Sequence, residues 1–149
     1  MDCICEPQIP LNDECVRLSN ILKGMFFGYI ILLIAIIIIG NLNSILGYVF
    51  AMSLILWGSL QCKSNLVAMA IYFTIFNLFI DVFYICKMVQ NYCLDLKSQY
   101  TDNNGLLIAA FVVESVCIIY QSVLIYFLFR SYKEFKFLYK ANAYSTFFT

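Results

Sequence analysis

Two carboxylates stand inside apolar runs of this chain. Asp81 lies in IFNLFIDVFY (residues 75–84), and Glu114 lies in VVESVCIIYQ (residues 112–121). Thr74, Asn77, Asp81 and Tyr84 recur at intervals of three or four, which places them on one face of a helix. Glu114 and Gln121, seven apart, share a face in the same way, with Ser115 and Ser122 beside them. An acidic side chain at the centre of a bilayer costs about 2.5–3.5 kcal/mol on insertion scales, so its presence calls for a physical reason. Counted from the ends of the apolar runs at Val89 and Leu106, both carboxylates lie equally far in. An antiparallel pair of helices therefore sets them at one depth, about 12 Å below the boundary at 1.5 Å rise per residue. The nearest basic residue, Lys87, projects from a different face close to the interface. Two acids at one level share a proton, stay neutral, or hold a cation or a partner's Lys or Arg. Asn77, Asp81, Glu114 and Gln121 are thus the candidate site: an internal clamp, a docking point, or a proton or cation site.

Other chemistry is thinly supplied. The chain has no His, which removes the commonest acid–base group, a major zinc ligand and any His-based triad. No nucleophile–base pair or metal-ligand cluster is visible, so the expectation is a non-enzyme without cofactor or metal. Net charge is zero and Lys and Arg form no block, so nucleic acid is not an expected partner. The seven cysteines are scattered, mostly in or beside apolar runs, where Cys acts as a small apolar residue. Cys3, Cys5 and Cys15 precede the first run and are candidates for reversible acylation.

The elements that must hold these residues are clear. Of 149 residues, 63% are hydrophobic and 12% charged, against about a quarter charged in soluble domains. Mean hydropathy is +0.86. Apolar segments run over Ile21–Ile39, Ile45–Leu60, Leu66–Val89 and Leu106–Phe129, each near the roughly 20 residues that span a bilayer. The first is too long for a signal peptide and ends without a small-x-small cleavage site. The expected architecture is all-α: a polytopic four-transmembrane-helix bundle over residues 21–130. Residues 1–20 form a leader, residues 131–149 a tail, and both termini are cytosolic. Seven basic residues (Arg17, Lys23, Lys63, Arg130, Lys133, Lys136 and Lys140) fall on the side of the termini, against Lys87 and Lys97 on the other.

Small residues offer close helix approach: Gly24 and Gly28 in span one, and Gly47, Ala51 and Gly58 in span two. They suit packing inside the bundle or a groove for a partner. In the tail, Tyr132, Phe135, Leu138 and Tyr139 alternate with Arg130, Lys133, Lys136 and Lys140 at helical spacing. This predicts a short basic amphipathic helix lying on the membrane surface. Tyr144 and Phe147 complete a Tyr-x-x-apolar tetrapeptide of the adaptor-binding sorting type, and Phe147-Phe148 resembles an endoplasmic-reticulum exit signal.

IYFTIFNLFID (residues 71–81) and IYFLFRSYKEFK (residues 125–136), with the four-span layout, resemble the lysosome-associated four-span transmembrane (LAPTM) group and MARVEL-like vesicle proteins. The chain departs from that pattern in the brief link NLNS and in a tail without Pro-Pro-x-Tyr motifs. The resemblance implies an endosomal, lysosomal or Golgi protein that escorts or regulates other membrane proteins. The functional expectation is accordingly an integral membrane adaptor or accessory subunit in endomembranes. Its partners are the lipid bilayer and another membrane protein or further copies of itself. The alternatives are a small proton or cation transporter or channel subunit using Asp81 and Glu114, and a structural subunit of a larger complex. The charge asymmetry predicts that reporters fused at either terminus read as cytosolic and that a cysteine placed at Ser98 is labelled only from the opposite side. An impermeant thiol reagent on intact cells or sealed vesicles checks this.

Overall fold

The computed structural model describes residues 13–39, 42–95 and 104–147. They form four helices: α1 (Asp13–Ile39), α2 (Leu42–Gln61), α3 (Ser64–Asp95) and α4 (Asn104–Phe147). All four are long and apolar enough to cross a membrane, so the chain is an integral, multi-pass membrane protein in contact with bilayer lipid. α1 packs on α2, α2 on α3, α3 on α4, and α4 back on α1, which closes a four-helix bundle.

A heptad pattern explains the closure. The inward residues of α4 are Ala110, Glu114, Cys117, Gln121, Leu124, Leu128, Ser131, Phe135 and Leu138, alternately four and three apart. In α1 the buried series runs Cys15, Leu18, Leu22, Tyr29, Leu32 and Ile36 in the same phase. Ser44, Tyr48, Ala51 and Ile55 continue it in α2, and Val67, Ala70, Thr74, Asn77 and Asp81 in α3. A seam repeating every 3.5 residues keeps each helix facing its neighbours along its whole length. The opposite faces carry exposed Phe27, Ile31, Trp57, Phe76, Phe79 and Ile119, the surface a lipid environment favours.

Several boundaries differ from the apolar runs. α1 starts at Asp13, not near Ile21, because Cys15, Leu18, Ser19 and Leu22 already present a buried face, and Asp13 and Glu14 suit a helix N-terminus. α3 runs on to Asp95, well past Val89. The expected surface-lying tail is instead the uninterrupted continuation of α4. Ser131, Phe135 and Leu138 stay on the buried seam, Arg130 pairs with Glu14 of α1, and Lys133, Lys136 and Lys140 are exposed. The α2–α3 corner ends α2 with Cys62 in the left-handed region (φ 49°) and a bond from Lys63 N–H to Gly58 C=O at 3.3 Å. That is the Schellman arrangement, with Cys62 in the place glycine usually takes.

The small residues divide. A Cβ on Gly28 would overlap the Tyr120 ring, and one on Gly47 would overlap the Asn77 side-chain oxygen. Gly58 lies close to Val67, and Ala51 is fully buried. These four pack helices inside the bundle. Gly24 meets nothing within 4 Å. Gly28→Ala and Gly47→Ala should each destabilise the bundle by about 1–3 kcal/mol through overpacking. Gly24→Ala should be neutral or mildly stabilising, since Ala favours helix by about 1 kcal/mol. Thermal unfolding of the purified protein in detergent checks the contrast.

Candidate polar site in the bundle core

Asn77, Asp81, Glu114 and Gln121 are all fully buried, so the structure turns the four predicted residues inward. Asp81 is the centre. Ser44 Oγ donates to its Oδ1 at 3.0 Å, and Tyr48 Oη donates to its Oδ2 at 2.5 Å. Gln121 Nε2 donates to Oδ2 at 2.7 Å and also to Tyr48 Oη. Thus two side chains of α2 and one of α4 hold a carboxylate of α3. Asn77, one turn before Asp81, reaches across the bundle and donates from Nδ2 to Tyr29 Oη of α1 at 3.4 Å. All four helices meet in this layer, and its two diagonals, α1–α3 and α2–α4, are both bridged.

Aromatic rings wall the layer. Tyr29 stacks on Tyr48 at 4.8 Å between centroids and on Tyr120 at 6.2 Å. Tyr120 Oη donates to the Met25 carbonyl at 2.6 Å, and its ring rests where Gly28 leaves room. Glycine is needed at Gly47 for a related reason: the Asn77 carbonyl oxygen lies against its backbone.

The register differs from the expected pairing of Asp81 with Glu114. Asp81 bonds to Gln121, two turns further along α4 than Glu114, which is about 10 Å at 1.5 Å per residue. The cause is the extra length of α3: since it ends at Asp95 and α4 begins at Asn104, the depth of Asp81 falls opposite residues close to Gln121. Glu114 is buried on the same seam, nearer the α3–α4 end. Thr74, Ser115 and Ser122 bond to carbonyls of their own helices and hold nothing across the bundle.

Three residues of the site escaped sequence reasoning: Tyr29, Ser44 and Tyr48. Their signal is phase. Tyr29 falls seven after Leu22, and Tyr48 four after Ser44, both on the buried seam. Among eleven tyrosines, single Tyr residues read by type alone resemble lipid-facing or interfacial aromatics.

The other candidates fall elsewhere. Cys15 is buried beneath α4 and does not offer an exposed thiol for acylation; Cys3 and Cys5 lie outside the described residues. The backbone of Tyr144 and Phe147 is helical, whereas a sorting tetrapeptide binds extended; their side chains lie outside those described. Among the described residues no group of three or more His, Cys, Asp or Glu could hold a metal ion.

Compared with protein-family models, with curated proteins and with solved structures, the chain matches none. The donor set around Asp81 predicts coupling. Tyr48→Phe and Gln121→Leu should each cost about 1–3 kcal/mol of stability, because a buried carboxylate loses a donor. Double-mutant cycles with Asp81→Leu should give a larger coupling for Tyr48 than for Glu114→Gln. Unfolding in detergent of the single and double variants measures both.

Proposed function

We propose that the protein acts by association rather than by chemistry, as a non-enzymatic integral membrane adaptor or accessory subunit of another membrane protein in the endomembrane system. The observation that carries this reading is the inward lock of the polar layer. Asp81 and Glu114 have no exposed surface, so neither offers its charge to a partner's Lys or Arg within the bilayer. The hydrogen bonds of Asp81 are made within the chain.

What remains for a partner is the outer surface. Met69, Tyr72, Phe76, Phe79 and Phe83 form an exposed row down α3. Large, stiff aromatic side chains give much contact area with little loss of side-chain freedom, and the row matches the spacing of an apolar helix laid alongside. Lipid covers this row until a helix of another membrane protein replaces it. Transport through a paired-carboxylate path is less well supported, because Asp81 and Glu114 sit about two helical turns apart on the bundle axis. The endosomal, lysosomal or Golgi setting belongs to the same proposal and rests on the resemblance alone.

Purification in mild detergent should recover a second membrane protein in near-stoichiometric amount. The triple change Tyr72→Leu, Phe76→Leu and Phe79→Leu should lose that partner while leaving the melting temperature of the chain almost unchanged. Recovery of the chain solely as a homo-oligomer, or retention of the partner by the triple variant, would sink the reading.

A further inference from the structure

We infer that the polar layer binds a small monovalent cation of the Na⁺ class, held by Asp81 with the amide oxygens of Gln121 and Asn77 and the hydroxyls of Ser44 and Tyr48. The Gln121 N–H donates to Asp81, and the Ser44 and Tyr48 hydroxyls are able to do the same, a set that suits an ionised, acceptor-only carboxylate. Those donors are all neutral. An ionised carboxylate taken out of water costs several kcal/mol unless a positive charge meets it.

Among the described residues, none around the layer supplies that charge. The titratable groups facing it are Tyr29 from α1, Tyr48 from α2, and Cys117, Tyr120 and Glu114 from α4. None is basic. The Arg130–Glu14 ion pair joins α4 to α1 nine residues beyond Gln121, outside the layer. At the same time, two carbonyl oxygens of the layer, Gln121 Oε1 and Asn77 Oδ1, are fully buried and accept no hydrogen bond. Asn77 Oδ1 lies against Gly47, next to the Tyr48 that bonds to Asp81, and Gln121 Oε1 belongs to the amide that bonds to Asp81; a carboxylate with such oxygens is the donor set that replaces the hydration shell of an alkali cation.

The Gln121 side chain is already in place for this. Its Nε2 stands 2.7 Å from Asp81 Oδ2. A half-turn of the amide exchanges Nε2 for Oε1, which a bare carboxylate repels but a cation lying between them attracts. The hydroxyls of Ser44 and Tyr48 keep lone pairs for the ion when their hydrogens turn aside. Charge selects the valence: one carboxylate balances one positive charge, and the described residues hold no cluster of acids for a divalent ion. The approach is short, because Ser44 lies in the first turn of α2 at the α1–α2 end of the bundle. The inference does not rest on the adaptor reading.

The test is equilibrium binding of radiolabelled Na⁺ to the purified full chain in lipid nanodiscs, against a background of N-methylglucamine chloride. We expect saturable binding near one ion per chain, loss of it in Asp81→Asn, weakening in Gln121→Leu, and retention in Glu114→Gln. Infrared spectroscopy of the wild type should show no Asp81 carboxylic-acid carbonyl band in saturating Na⁺. Absence of saturable binding to the wild type overturns the proposal without need of any variant. Binding that survives Asp81→Asn overturns it, as does binding lost only in Glu114→Gln. A carboxylic-acid band that persists in Na⁺ and vanishes in Asp81→Asn shows that a proton holds the place, and also overturns it.

Discussion

A carboxylate inside hydrocarbon is the constraint on which this fold rests. Lipid tails are as apolar as leucine, so burying apolar surface gives helices in a membrane little reason to prefer each other over lipid. Asp81 changes that. It cannot face lipid at tolerable cost, and its oxygens need donors. Ser44 and Tyr48 supply them from α2 and Gln121 from α4, so satisfying one side chain brings three helices together. Asn77 and Tyr29 add the fourth. The heptad seams, the close approaches at Gly28 and Gly47, and the stacked tyrosines follow from keeping that layer closed.

Much of the fold was legible in the sequence because one physical quantity governs it. Hydrophobic length marked four spans, and two brief links with one longer, polar one make consecutive spans antiparallel. Helix ends were harder, since the bundle extends helices wherever a buried seam continues. Residues 13–20 and 130–141 look polar by composition, yet Cys15, Leu18, Phe135 and Leu138 hold them together at seam positions. Composition averages over a window, whereas burial follows phase.

The site was half legible. Acid and amide residues in apolar runs stand out by type, so Asn77, Asp81, Glu114 and Gln121 could be found. Their partners could not, because Tyr and Ser are unremarkable in such runs and only their position in the heptad marks them. The pairing failed for a related reason. An error of about six residues in the end of α3 moves its depth scale by nearly two turns, which is enough to replace Gln121 by Glu114 opposite Asp81. Depth inferred from boundaries is only as good as the boundaries.

α4 has a consequence of a mechanical kind. Its 44 residues make a rod about 66 Å long at 1.5 Å per residue, roughly twice the hydrocarbon thickness of a bilayer. It contains no proline, and its seam passes without a break from Gln121 to Phe135 and Leu138. The tail is therefore a lever arm rather than a tether. Its far end and Gln121, which holds Asp81, belong to one unbroken helix.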